Sequence, residues 1–218
     1  MSAQHPSPDR TAYPARLQVE YTEDRNRLTA FFRLFLVVPI GIVYGALTAG
    51  ATSTVYAEGG REVTSTSGGI VAGLFVATLL MILFRQRYPR WWFDFARELN
   101  RFGTRIGAYV TLLTDEYPST VEEQRVHLDL DYPDAEQDLN RWLPLVKWFL
   151  AIPHYVVLFF LGIGAIVVVI MAWFAILFTG RYPRGMFDYV VGVGRWALRV
   201  NAYAVLLLTD RYPPFSLD

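Results

Sequence analysis

Residues 142–178 carry a single formal charge, Lys147, and no other stretch of the chain restricts its possible folds so tightly. Thirty-seven such residues are too many for one membrane crossing, which takes about 20 residues of helix for about 30 Å of hydrocarbon, and barely enough for two. Gly162 and Gly164 are the expected turn of that tight hairpin, giving spans at about 142–160 and 163–178. Residues 28–48 hold one charge, Arg33, and residues 69–84 hold none before the run ends at Arg85-Gln86-Arg87. A buried helix of a soluble protein explains any one of these runs. Four of them in 218 residues leave too little polar surface to enclose so much apolar material. The expectation is an all-α membrane protein with four transmembrane helices.

Composition points the same way. The chain is 53% hydrophobic and 18% charged, against roughly 25% charged in soluble domains, which argues against an ordinary soluble enzyme and excludes disorder. Twenty basic and twenty acidic residues leave no net field to recruit nucleic acid. With no cysteine there are no disulfides and no thiolate sites. Residues 1–27 are polar and proline-bearing, unlike a cleaved signal, and residues 1–12 are expected to be a disordered arm. Lys and Arg number four up to Arg27, eight over residues 85–141 and five from Arg181, against Arg61 alone in residues 50–68. Positive residues stay cytoplasmic. Both termini and the middle segment are therefore expected inside, with the 50–68 loop and the Gly162 turn outside. Thr54-Val55-Tyr56 and Glu62-Val63-Thr64 around Gly59-Gly60 read either as a small hairpin or as a flexible loop.

The chain is also written twice. Aligning residues 87–118 with 181–213 gives sixteen identities in thirty-two positions with one inserted residue, including Phe93/Phe187, Asp94/Asp188, Arg101/Arg195, Arg105/Arg199, Tyr109/Tyr203 and Asp115/Asp210. Upstream, Asn26, Arg33 and Pro39 match Asn140, Lys147 and Pro153 at the same spacing. The units are residues 13–118 and 119–218, each an entry arm, two spans and a third helix. Two crossings per unit imply parallel repeats about a pseudo-twofold axis along the membrane normal.

That third helix, expected over residues 90–113, sets Trp92, Phe95, Leu99, Phe102, Ile106 and Tyr109 on one side and Asp94, Arg97, Glu98, Arg101 and Arg105 on the other. Five charges disfavour a span and suit an interfacial helix. Its copy over residues 184–207 replaces Arg97-Glu98 by Val191-Gly192 and is greasier. Leu17-Gln18-Val19-Glu20-Tyr21 and residues 126–131 alternate with period two, so each unit opens with a short cytoplasmic strand, and the two strands are free to pair.

The repeated Arg-Tyr-Pro-Arg at residues 87–90 and 181–184, with Phe93-Asp94 and Phe187-Asp188, and the closing Thr209-Asp210-Arg211-Tyr212-Pro213 resemble the bacterial membrane family called domain of unknown function 4389. The resemblance extends from Tyr13 over nearly the whole chain. It implies an integral protein of the bacterial plasma membrane, multi-pass with both termini cytoplasmic, and carries over no catalytic residue. The first copy departs from the motif with Arg85-Gln86 where the second has Thr179-Gly180.

Candidate chemistry is sparse. His5, His127 and His154 are too few and scattered for a metal site, no cofactor motif is present, and no nucleophile and base pair nominates an enzyme. Arg33 and Lys147 sit at equivalent positions inside apolar helices. One reading has them snorkel to the cytoplasmic headgroups; the other puts both on the pseudo-twofold axis in contact with an anion or lipid phosphate. Asp94 and Asp188 are the expected counter-charges and structural clamps, with Arg101, Arg105, Arg195 and Arg199 reaching neighbours or lipid phosphates. The leading function is a structural or interaction protein that organises or bends the bilayer or serves as an accessory subunit. The alternative is a small oligomeric transporter or channel for an anion or lipid. The expected partners are membrane lipids, with a second copy or another membrane protein, and no nucleic acid.

Overall fold

The computed structural model describes residues 13–50, 52–57, 61–66 and 69–218; the expected N-terminal arm, residues 1–12, lies outside them. The elements run β1 (Ala15–Val19), α1 (Arg27–Thr48), β2 (Thr52–Ala57), β3 (Arg61–Thr66), α2 (Ile70–Arg85), α3 (Arg90–Val110), β4 (Val126–Leu130), α4 (Pro144–Leu150), α5 (Ile152–Thr179) and α6 (Arg184–Ala204). The fold is mostly helical, with two small antiparallel strand pairs, β1 with β4 and β2 with β3.

Local chemistry accounts for the breaks. The Asn26 side chain accepts from Leu28 and Thr29 N–H and starts α1. Pro39 lacks an N–H and crowds the carbonyl four residues back, at Phe35, and α1 bends by 51° between its 27–33 and 35–48 parts. In the second half the same proline, Pro153, follows the break between α4 and α5. α5 stops at Gly180 in the left-handed conformation (φ 76°), which costs glycine nothing. Gln86, its counterpart after α2, takes the same turn at φ 46°, and its side chain accepts from Arg141 at 3.0 Å.

The strands of the two halves pair across the pseudo-twofold axis. Leu17 faces Leu128 at the centre of the register, with Ala15 opposite Leu130 and Val19 opposite Val126. Ala15, Leu17, Val126, Leu128 and Leu130 are buried, leaving Arg16, Gln18, His127 and Asp129 on the other face. The axis repeats further contacts. Tyr88 OH donates to Leu206 O (3.1 Å) and Tyr182 OH to Thr111 O (3.5 Å). Tyr132 OH donates to Tyr88 O, as Tyr21 OH does to Tyr182 O. Arg101 reaches Leu128 O and Arg195 reaches Leu17 O. Each half is thus held by the other.

Four crossing helices are not found. Residues 142–178 hold no hairpin, because α5 runs unbroken through Gly162 and Gly164. At Gly164 the missing side chain serves packing: a Cβ there would lie 2.6 Å from the Tyr189 hydroxyl, which donates to Leu161 O. α5 is the one helix among the described residues long and apolar enough by itself to cross a membrane; α1 qualifies only if its bent parts count together, and α2, at 16 residues, is short. The amphipathic helices end at Val110 and Ala204, earlier than expected, because Leu112 and Leu207 turn left-handed. α6 is largely buried.

The 50–68 region contains the hairpin alternative, β2 with β3 in register from Thr52 opposite Thr66 to Ala57 opposite Arg61. Carrying the repeat alignment forward from Pro39 and backward from Arg87 sets Thr48 opposite Gly162 and Gly69 opposite Ile163, which are consecutive in α5. The neck is correspondingly tight, since a Cβ on Gly69 would sit 2.0 Å from Thr48 O. Thr78 and Ile82 of α2 are buried like their counterparts Ala172 and Ile176 of α5. Residues 49–68 are therefore what the first unit has in excess of the second, whose corresponding stretch is one continuous helix. Deleting them and joining Thr48 to Gly69 should leave the helical circular dichroism and the thermal midpoint nearly unchanged. Loss of cooperative unfolding would show that the hairpin is part of the core.

Candidate functional site

The polar groups that the helices bury assemble into one clamp per half. Arg33 of α1 is 3% exposed. Its Nη1 donates to Tyr109 O and Thr114 O, both at 2.8 Å, its Nη2 donates to the Asp115 carboxylate, and its guanidinium lies 4.5 Å from the Tyr109 ring centre. In the second half Lys147 of α4 is 0% exposed. Its Nζ donates to Thr209 O at 2.7 Å, lies 2.7 Å from Asp210 Oδ1 and faces the Tyr203 ring at 5.2 Å. The free carboxylate oxygen of each aspartate accepts the backbone N–H of Asn26 or Asn140. Asn26 then caps α1, so cation, carboxylate and helix start are one unit.

Backbone conformation delivers these groups. After α3 the chain turns at Leu112 (φ 66°) and after α6 at Leu207 (φ 56°), a conformation costing a leucine about 1–2 kcal/mol. The turn carries Thr114-Asp115 and Thr209-Asp210 under the cations. A cation at the last carbonyls of α3 also meets the negative end of that helix.

The counter-charges are thus Asp115 and Asp210, where Asp94 and Asp188 were expected. Asp94 pairs with Arg97 of its own helix, half-buried, and Asp188 with Arg184 of its own, exposed, each at 3.3 Å. Among the described residues neither ties its helix to a neighbour. Arg33 and Lys147 each bind within their own half, so the structure does not bring them together on the axis. Arg101 forms an ion pair with Glu98 and reaches β4, while Arg195 reaches β1. Arg105 donates to Ser119 O and Arg199 to Ser216 O; burial lowers the pKa of both. Spacing alone could not select Asp115 and Asp210, because Asp94 and Asp188 are repeated just as faithfully.

Two hollows accompany the clamps. One of about 650 Å3 lies by the Arg-Tyr-Pro-Arg loop, lined by Arg85, Arg87, Arg90, Tyr132 and Glu136. The other, about 400 Å3, lies between α3, α6 and β1, lined mainly by apolar groups with Asn100 and Asn201 bonded across it at 2.7 Å. His154 is wholly buried, its Nδ1 accepting from Trp196 Nε1 at 3.1 Å and its ring stacked on Phe215 at 4.0 Å. Tyr88 and Tyr182 are buried too, and desolvation pushes both phenols up to about 12.

This geometry defines a tandem-repeat helical protein with a buried cation clamp in each half and one long apolar helix. Its sequence matches the family described as Domain of unknown function (DUF4389) over residues 63–122 and 142–216, and the chain belongs to that family. The first match begins only inside β3, beyond α1 and most of the β2–β3 hairpin. No curated protein and no solved structure matches the chain.

Asp115→Asn or Asp210→Asn strands a buried cation and should cost about 3–5 kcal/mol in thermal unfolding. Replacing the second clamp jointly, Lys147→Met with Asp210→Leu, should recover most of that loss, and equal damage from the pair would refute the clamp. The tyrosines give a pH signature. Their folded pKa lies above the unfolded value near 10, so their contribution is complete below about pH 10 and fades as pH climbs towards about 12. Tyr88→Phe with Tyr182→Phe should flatten the alkaline decline in unfolding free energy.

Proposed function

We propose that this protein is a non-enzymatic, membrane-resident structural protein that organises or bends a bilayer by embedding its apolar helices among acyl chains. The observation that carries the reading is α5: its most apolar eighteen-residue stretch is only 6% buried. A core helix of that composition would be covered by protein. Phe159, Phe160, Ile163, Ile166, Val167 and Phe174 are all exposed, as are Phe31, Phe35 and Ile42 of α1 and Trp91 of α3. So large an apolar surface calls for a lipid or protein partner. Membrane lipids are the proposed partner, in the bacterial plasma membrane, with both termini on the cytoplasmic side as the arginine distribution favours.

An anion or lipid pathway through Arg33 and Lys147 has less support, because each cation is already engaged by carbonyls and an aspartate of its own half. Purified protein added to liposomes at high density should tubulate or curve them. Phe159→Asp with Ile166→Asp should abolish this and release protein from the membrane fraction, at about 2.5–3.5 kcal/mol per charge placed in hydrocarbon. Flat vesicles under saturating wild-type protein would overturn the bending role, and a monomer soluble without detergent would overturn the membrane reading.

A further inference from the structure

The end of α5 is fastened directly to the polar segment 13–25, and the last residue of α4, just before α5 begins, is linked to that segment through the C-terminal tail. At its start, Tyr212 OH donates to Leu150 O (3.2 Å), and Tyr13 OH bonds Arg211 O (3.3 Å) and Arg199 O (3.2 Å) beside it. At its finish, Arg25 N–H donates to Gly180 O (2.8 Å), Tyr182 N–H to Glu23 O (3.4 Å) and Tyr21 OH to Tyr182 O (2.7 Å). The segment from Tyr13 to Arg25 is thus tied to both ends of α5, directly at Gly180 and through Arg211-Tyr212 at Leu150. Lengths are compatible with this: 28 helical residues measure about 42 Å, and twelve steps reach at most about 40 Å, the remainder being bridged by the Tyr212 side chain.

This companion cannot enter hydrocarbon. It carries Arg16, Glu20, Glu23, Asp24 and Arg25, and among the described residues β1 pairs only with β4, so neither edge of the two-stranded sheet is covered by a further strand, Arg195 and Arg101 each meeting one carbonyl there. Open sheet edges facing lipid do not occur at membrane depth. If the companion stays at the aqueous surface, both ends of α5 stay there too.

The first half repeats the arrangement. Near α1, Arg125 N–H donates to Glu116, next to the clamped Asp115; at the end of α2, Tyr132 bonds Tyr88 O and Arg141 bonds Gln86. Layer order fits as well. A Cβ on Gly194 of α6 would lie 3.3 Å from Leu17 of β1, while Tyr189 and Trp196 of α6 touch Leu161 and His154 of α5. α6 therefore lies between sheet and α5.

We infer that α5 does not cross the bilayer but lies along its plane, with the acyl chains of a single leaflet as its solvent and the β1–β4 sheet at the aqueous face. The inference rests on the membrane reading above and replaces crossing by one-sided immersion. The pseudo-twofold axis stands upright, since an axis exchanging two antiparallel strands is perpendicular to their sheet.

The chain has no cysteine, so single thiols report position. Gln137→Cys, just before α4, and Thr179→Cys, at the end of α5, both replace exposed residues. In sealed native-membrane vesicles of known sidedness, a membrane-impermeant maleimide should label both variants from the same side. Labelling from opposite sides would overturn the inference and leave the membrane reading intact. Nitroxides at Phe159→Cys, Ile166→Cys and Phe174→Cys should report the same bilayer depth, whereas a crossing helix would spread them over about 22 Å. Wild-type protein that forms a soluble dimer without lipid would instead assign the α5 face to a second copy and overturn both readings.

Discussion

A single β-strand cannot satisfy its own backbone, and each half of this chain supplies only one at its start. β1 and β4 find partners in each other. That pairing requires the halves to meet antiparallel across an axis through Leu17 and Leu128, and the reciprocal tyrosine and arginine contacts repeat the same operation on the helices beneath.

The cation clamps serve the outer layer. An unpaired cation at Arg33 or Lys147 would be too costly to bury, so the chain must return after α3 and α6 to deliver an aspartate and a threonine carbonyl. Left-handed leucines at that return are strained locations held by the surrounding packing. Two different cations, one a planar fork and one a point charge, occupy equivalent places. The arginine takes an extra carbonyl, that of Tyr109, which the lysine does without.

Sequence pattern revealed the repeat, the alternating strands and the greasy helices, because identity at fixed spacing and periodicity are local properties. It could not separate a glycine turn from a glycine inside a helix. Gly162 and Gly164 cost a helix about 1 kcal/mol each, too little to end one, and Gly164 is needed to admit Tyr189. The left-handed turn that a glycine makes freely at Gly180 is also made by Gln86, which no composition signal announces. Asp115 was visible as a repeated carboxylate, but its choice over Asp94 depends on the turn at Leu112, a tertiary outcome.

Reciprocal contacts of this kind have an ancestral consequence. A surface that recognises its own rotated copy is what a homodimer displays, so a shorter gene encoding one unit would have assembled the same object from two polypeptides. Joined in one chain, the copies need not stay alike: one carries the twenty extra residues of the β2–β3 excursion while its sibling has an unbroken rod.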